Sequence, residues 1–274
     1  MRSPGAGAAD DGQDRPGSSE QASWLPGFTS PIRLAVVDST NRWLRDAAVA
    51  GAPHGTSVLA AEQLAGRGRR ERTWSSPPGS SVLCSVLFRS GLGAHDAYLA
   101  PAVVGLAALD AAQACCGVEA SLKWPNDILV GGRKLGGILS EMIGGPGVLV
   151  VGIGLNVGWP SDWPPAGPLA GLAGSATTLE RECGRALRRE VVEKALLDAI
   201  SCRARDLDSV GGRARVAAQY RGACSTLDRR VRVELDREPL EGRAVGLEDD
   251  GRLVVELSDG RRRSLDAGDV VHLR

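Results

Sequence analysis

Residues 128–157 read ILVGGRKLGGILSEMIGGPGVLVVGIGLNV: three apolar runs, Ile128–Val130, Leu135–Met142 and Val148–Val157, separated by Gly-Gly and Gly-Gly-Pro-Gly. Apolar runs of this length, broken by glycine-rich turns, predict antiparallel strands joined as hairpins. Upstream, Ile32–Val37, Thr56–Ala61 and Ser81–Phe88 add strands rich in Val and Leu. Asp38-Ser39-Thr40 supplies cap residues for a helix running through Trp43, Leu44, Ala47 and Ala48. Further helices are expected from about Asp96 to Cys116, Gly184 to Leu207 and Arg213 to Tyr220. A sheet of hairpins with helices gathered before and after it is α+β, not alternating βαβ.

The flanks differ in kind. Residues 1–30 hold five Gly, three Pro and five Ser, too little branched apolar surface to repay ordering, and are expected to form a flexible tail. Residues 226–274 carry 22 charged residues in 49, against 44 in the 225 before them. Their short alternating runs, Val231–Leu235, Leu253–Leu257 and Val270-Val271, with Asp-Gly turns between, predict a small β-barrel. The expected organisation is a tail (1–30), a larger domain (31–224) and a small C-terminal domain (225–274). Gly158–Gly174, rich in Pro and Trp, reads as a loop.

Composition narrows the function. With 33 basic and 33 acidic residues the formal charge is zero, which disfavours broad nucleic-acid binding. Thirty of the basic residues are Arg and only Lys123, Lys134 and Lys194 are Lys, so each lysine stands out. Six cysteines without a secretory signal are expected to be reduced thiols in the cytoplasm. The apolar stretch Leu99–Val118 carries Asp110 and Gln113 and reads as a buried helix, not a membrane span.

Two segments carry chemistry. Gly66-Arg67-Gly68-Arg69-Arg70-Glu71-Arg72 places four guanidinium forks, suited to phosphate or carboxylate oxygens, in a loop whose glycines admit a close ligand. A solvated basic loop would have the same sequence. Lys123-Trp124-Pro125-Asn126-Asp127 packs an ammonium, an amide and a carboxylate around a proline, and Lys134 follows across a turn, where both lysines could face one anionic ligand; a plain Asn-Asp turn is the structural alternative. Gly152-Ile153-Gly154 lacks the G-x-G-x-x-G pattern, and no Walker loop, G-x-S-x-G elbow or metal-spaced His and Cys set occurs.

The order Ser39-Thr40-Asn41, Glu62-Gln63, Gly66–Arg70, Lys123–Asp127, Arg133-Lys134-Leu135-Gly136-Gly137-Ile138-Leu139 and Gly152–Val157 closely resembles the biotin protein ligases, in the form without an N-terminal DNA-binding domain. The resemblance runs from about residue 32 to the C-terminus. It implies a catalytic domain of the class II aminoacyl-tRNA synthetase and biotin synthetase type, followed by an SH3-like barrel. It also implies biotin activation with ATP and Mg²⁺ to biotinyl-5'-AMP, then transfer to a lysine of a biotin carboxyl carrier domain.

Carried over residue by residue, Lys134, Arg67 and Arg69 become catalytic. Ser39, Thr40, Asn41, Gln63, Arg67, Gly68, Arg69, Lys134, Gly136 and Gly137 become biotin-binding. Arg69, Arg72, Lys123, Trp124, Asn126 and Asn156 become nucleotide-binding, and Asp127 the magnesium-side carboxylate. Trp74 is either an apolar wall or core. The family commonly has Gly where this chain has Glu71, a carboxylate that could pair with Arg69 or Arg72. The arginine loop is expected to be mobile when empty and to order over the adenylate. The implied protein binds neither DNA nor membrane and is a monomer or weak homodimer. A lipoate or octanoate transferase of related fold is the nearest rival, and a nucleic-acid-binding regulator the rival from another class.

Overall fold

The computed structural model describes residues 28–163, 170–235 and 238–273. The elements in chain order are β1 (Ile32–Val37), α1 (Thr40–Val49), β2 (Ser57–Gln63), β3 (Ser81–Arg89), α2 (Leu99–Cys116), β4 (Ser121–Lys123), β5 (Asp127–Val130), β6 (Arg133–Met142) and β7 (Val148–Asn156). They are followed by α3 (Leu172–Ser175), α4 (Leu179–Cys183), α5 (Arg189–Ala204), a 3-10 turn (Arg205–Asp208) and α6 (Val210–Ala223). Five strands close the chain: β8 (Arg230–Glu234), β9 (Leu240–Leu247), β10 (Leu253–Glu256), β11 (Arg262–Leu265) and β12 (Asp269–His272). The class is α+β, as the hairpin pattern indicates.

Seven strands form one sheet in the order β1-β2-β3-β7-β6-β5-β4, antiparallel throughout except for the parallel pair β1 and β2. The period of two in β7 sorts its residues. Val151, Ile153 and Leu155 join the core beneath α2, α5 and α6, and the small residues Gly152 and Gly154 and the polar Asn156 point to the opposite face. There α1 covers one end of the sheet with Leu44 and Ala48 against Val58, Leu87 and Val150, and leaves the other end open as a cleft. α2 is apolar nearly all round because the core surrounds it. It is long and apolar enough to cross a membrane, yet 61% of that window is buried inside the protein.

The C-terminal strands form a separate antiparallel sheet in the order β11-β10-β9-β8-β12. Its core of Val231, Val233, Ala244, Leu253, Val255, Leu265 and Val270 is completed by Trp124 from the larger sheet. Trp124 donates its indole N–H to the Gly251 carbonyl at 3.0 Å, and its backbone N–H to Thr226 Oγ1 at 3.0 Å. The tryptophan therefore pins the small sheet to the large one.

Several expectations need correction. The tail was expected to reach residue 30, but Phe28 is 8% exposed and meets His54 edge-on at 5.4 Å, so order begins by there; residues 1–27 lie outside the described residues. α2 starts at Leu99 and α5 at Arg189, later than Asp96 and Gly184. The 158–174 loop contains α3 at its end, with 164–169 outside the described residues. The short strands β4, β9 and β11 had no apolar run to announce them. Ser39 sits at the N-cap of α1 in extended backbone but makes no side-chain cap bond. Gln63 Oε1, on β2, instead accepts from the Thr40 N–H at 2.8 Å.

His272 closes β12 at the junction between the two sheets, with Nε2 3.2 Å from Thr226 Oγ1. Burial, reinforced by the charges of Lys123 and Arg229, holds its imidazole down to about 4 from the usual 6.5. Between those values the unfolded chain takes up a proton that the folded one refuses. The contribution of His272 is thus complete above about pH 6.5 and is lost as pH falls toward 4. Melting temperature measured from pH 7.5 to 4 is expected to fall less steeply in His272→Gln than in the parent, and parallel curves would exclude this linkage.

Candidate active site

The open end of the sheet holds a cleft of about 320 Å³, within the size of small-molecule sites. Among the described residues it is lined by the start of α1, the loop after β2, Asn126 and strands β5 to β7, Trp159, Leu172 and Ala176 around α3, and one residue of the small sheet, Asp269. Of the residues expected from sequence, Ser39, Thr40, Asn41, Gln63, Arg67, Gly68, Arg69, Arg72, Asn126, Asp127, Lys134, Gly137 and Asn156 face it.

Three do not. Gly136 lies within the sheet, where an added Cβ would fall 2.7 Å from the Gly154 carbonyl oxygen and 3.2 Å from Ile128 Cδ1. Trp124 is 3% exposed in the core of the small sheet, which removes it from the nucleotide side. Lys123 lines an adjoining cavity with Tyr98, Tyr220 and Asp250, although it pairs opposite Asp127, the carboxylate that holds Lys134. Burial pushes the Lys123 ammonium below its usual value, partly opposed by Asp127.

A β-bulge turns Lys134 into the cleft. Ile128 pairs with Gly136 but Leu129 pairs with Lys134, so β6 spends an extra residue there. Leu135 and Ile138 remain in the core, Lys134 and Gly137 share the cleft face, and Lys134 Nζ comes within 3.4 Å of the Gly137 Cβ position. The ammonium lies 2.5 Å from Asp127 Oδ1 and 5.9 Å from the Trp74 ring centroid, between a carboxylate and an aromatic face. The start of α4 braces this strand end. Thr177 donates its N–H to the Lys134 carbonyl at 2.9 Å, Asn156 donates Nδ2–H to the Thr177 carbonyl at 3.0 Å, and Arg133 grips Glu182 at 2.8 and 3.1 Å. Asn126 likewise spends its amide on the Ile138 carbonyl at 3.0 Å.

One hydrogen-bonded chain lines the α1 side. Ser85 Oγ lies 2.8 Å from Thr40 Oγ1 and 2.6 Å from Asn41 Oδ1; Thr40 Oγ1 lies 3.1 Å from Gln63 Oε1. Asn41 Nδ2 donates to the Leu139 carbonyl at 3.2 Å and to Glu141 Oε2 at 2.8 Å, and Glu141 Oε1 takes Arg67 at 2.8 Å. Gly152 permits this approach, since a Cβ there would lie 2.1 Å from Asn41 Oδ1. Sequence reading missed Ser85, Glu141 and Asp269. Ser85 is a fully buried hydroxyl within an apolar strand, which is itself a signal, and Glu141 follows Gly137 and Leu139 at a spacing of two. Asp269 has no such signal.

Trp74 forms the floor of the cleft. Its ring lies against Gly154 and Gly137, and its indole N–H is buried without a protein acceptor. Arg69 Nη1 is likewise buried and unpaired, and burial, partly offset by Asp269, lowers the Arg69 pKa. Buried donors without partners are costly, so these two suit a ligand that supplies acceptors.

The arginine loop is closed by Gly68 N–H to Arg72 O at 2.6 Å and Trp74 N–H to Gly66 O at 2.9 Å. At its tip Arg70 (φ 51°) and Glu71 (φ 59°) both adopt left-handed backbone, which costs roughly 1–2 kcal/mol for each non-glycine residue. Glu71 forms no ion pair with Arg69 or Arg72 among the described residues; Arg72 pairs instead with Asp269 Oδ2 at 2.5 Å. Arg72 and Arg70 thus both reach the small sheet from this loop.

Comparison with known proteins bears on this arrangement. Residues 34–158 match the profile of the biotin/lipoate A/B protein ligase family, and residues 226–273 match the biotin protein ligase C-terminal domain. The chain is 36% identical over 249 residues to the biotin--[acetyl-CoA-carboxylase] ligase of Mycobacterium tuberculosis, covering 88% of each chain. It is 34% identical to the ligase of that name from Paracoccus denitrificans, covering 84% of this chain and 95% of that one. The structure of biotin protein ligase from Aquifex aeolicus in complex with biotin and ATP superposes with a TM-score of 0.73 at 26% identity, covering 90% of this chain and all of that one.

Proposed function

The chain belongs to the biotin protein ligase family, and we infer that its cleft activates biotin with ATP and passes the biotinyl group to a lysine of a biotin carboxyl carrier domain. The observation that carries the residue assignment is the bulge-directed placement of Lys134, between the apolar Trp74 floor and the polar end formed by Asp127 and the arginine loop. In the first step a biotin carboxylate oxygen attacks the α-phosphorus and pyrophosphate leaves. Arg67, Arg69 and Arg72 offset the charge of the triphosphate, and Lys134 bridges the two reacting groups. In the second step the carrier amine attacks the acyl carbon and AMP leaves, with Lys134 holding the carbonyl oxygen as its charge grows. Thr40, Asn41 and Gln63, oriented from behind by the buried Ser85 hydroxyl, offer donors and acceptors to the ureido ring, and Trp74 offers its face to the apolar remainder.

Among the described residues no three His, Cys, Asp or Glu side chains cluster as a metal cage. A magnesium ion arriving on the triphosphate needs only one or two protein carboxylates, and Asp127 is placed to be one. The protein acts in the cytoplasm, as a monomer or weak homodimer, without DNA or membrane as partner; its zero formal charge agrees with that reading.

Incubation with biotin, ATP, Mg²⁺ and a carrier domain is expected to add the mass of one biotinyl group to one carrier lysine. Lipoate or octanoate in place of biotin is expected to add nothing. No mass gain with biotin would overturn the assignment, and gain only with lipoate would transfer it to the rival substrate.

A further inference from the structure

Among the described residues the C-terminal sheet contributes one side chain to the cleft, and that side chain is an anion. Asp269 opens β12, opposite Glu234 of β8, and is about one quarter exposed. Its Oδ2 lies 2.5 Å from Arg72 Nη2 and 3.7 Å from Arg70 Nη1, and Arg70 also donates to the Glu234 carbonyl at 2.9 Å. Arg69, the residue before Arg70, leaves Nη1 buried and unpaired. Two arginines of the loop are thus held by acceptors of the small sheet, while the loop tip carries two consecutive left-handed non-glycine residues. Backbone of that kind persists only where surrounding contacts over-determine it. Here the added contacts come from another domain.

We propose that Asp269 is a positioning residue that stands in for the triphosphate: its carboxylate holds Arg72 and Arg70 in the ligand-free protein, and nucleotide binding exchanges it for phosphate oxygens. The proposal rests on the reading that the arginine loop receives the triphosphate. A carboxylate and a phosphate present the same kind of oxygen acceptor to a guanidinium, so the exchange conserves hydrogen bonds while moving the loop from the small sheet to the ligand. Binding then meets a competitor within the chain, and the small sheet sets the apparent affinity for ATP.

Asp269→Asn keeps the shape of the side chain and removes its charge. The KM for ATP is expected to fall by about 2- to 5-fold, the range of one partly exposed ion pair, with no matching change in the KM for biotin. Asp269→Glu is expected to keep the parental KM for ATP. Limited trypsin cleavage between Arg67 and Arg72 in the ligand-free protein is expected to be faster in Asp269→Asn than in the parent, and to become equal once biotin and ATP are added. Asp269→Ser serves as a second neutral variant should the Asn variant melt abnormally. An unchanged or raised KM for ATP, or ligand-free cleavage at the parental rate in a folded neutral variant, overturns the proposal. Failure of the functional reading is distinguishable, because it appears as a parent that does not biotinylate the carrier.

Discussion

Replacing Lys134 by Ala is expected to lower the rate of carrier biotinylation by about 10²- to 10³-fold, the usual consequence of removing one charge-stabilising donor from a preorganised site. The size of the effect follows from position. Lys134 Nζ is the cation that the bulge in β6 places on the cleft face between the Asp127 carboxylate and the Trp74 ring. A charge there is less screened than in water and faces the group whose charge changes in both steps. Both half-reactions should therefore suffer: biotin-dependent pyrophosphate exchange, and transfer from preformed biotinyl-adenylate. Lys134→Arg is not expected to restore them. The Gly137 Cβ position lies 3.4 Å from Nζ, and a planar guanidinium needs more room than a compact ammonium. Lys194, exposed on α5 and paired with Asp198 at 2.7 Å, gives the control, since Lys194→Ala should leave both rates unaltered. Parental rates in Lys134→Ala would remove this residue from the chemistry.

The sequence showed which lysine to suspect but not how it reaches the cleft. Strict alternation along β6 would put Lys134 and Gly136 on one face and Leu135 and Gly137 on the other. The extra residue at Leu135 breaks that parity, so Lys134 joins Gly137 and Gly136 turns inward. A bulge has no clear mark in a run such as KLGGIL, and the resemblance that assigned Gly136 and Gly137 together to the ligand side could not tell which of the two faces the cleft. Trp124 shows the limit of motif reading in another way. Lys123–Asp127 is contiguous in sequence, yet its tryptophan completes the core of the C-terminal sheet, a partner some hundred residues distant. Cleft residues on single strands and loops were legible because spacing alone groups them. Asp269 and the Gln63 bond at the start of α1 were not, since each joins elements that only the tertiary fold brings together. The strands themselves were legible where they are buried on at least one face, as β3 and β7 are. They were not where the residues are mostly polar, as in β11, whose neighbours supply its pairing.

Gly154→Ala is expected to weaken biotin binding by at least about tenfold, although it adds one carbon. The backbone at Gly154 lies outside the positive-φ region, so alanine meets no conformational objection of its own. The objection comes from Trp74. A Cβ at residue 154 would stand 2.3 Å from Cε2, 2.5 Å from Cζ2 and 2.7 Å from Nε1 of that ring, well inside contact distance. The Trp74 backbone N–H is held by the Gly66 carbonyl at 2.9 Å and the Gly137 Cβ position lies 3.2 Å from the Cζ3 edge of the ring, so the indole has little room to slide along the sheet. It must lift away from the strand, and the space above it is the cleft. Overpacking of this kind costs about 1–3 kcal/mol, and a floor raised into the ligand space transfers that cost to binding. Calorimetry with biotin alone, before any nucleotide is added, isolates the effect from the arginine loop. Trp74→Leu should weaken binding by loss of the aromatic face, and Gly154→Ala added to it should then cost little, because no ring remains to displace. Additive losses in the double variant, or parental biotin affinity in Gly154→Ala, would show that Trp74 does not form the floor on which biotin rests.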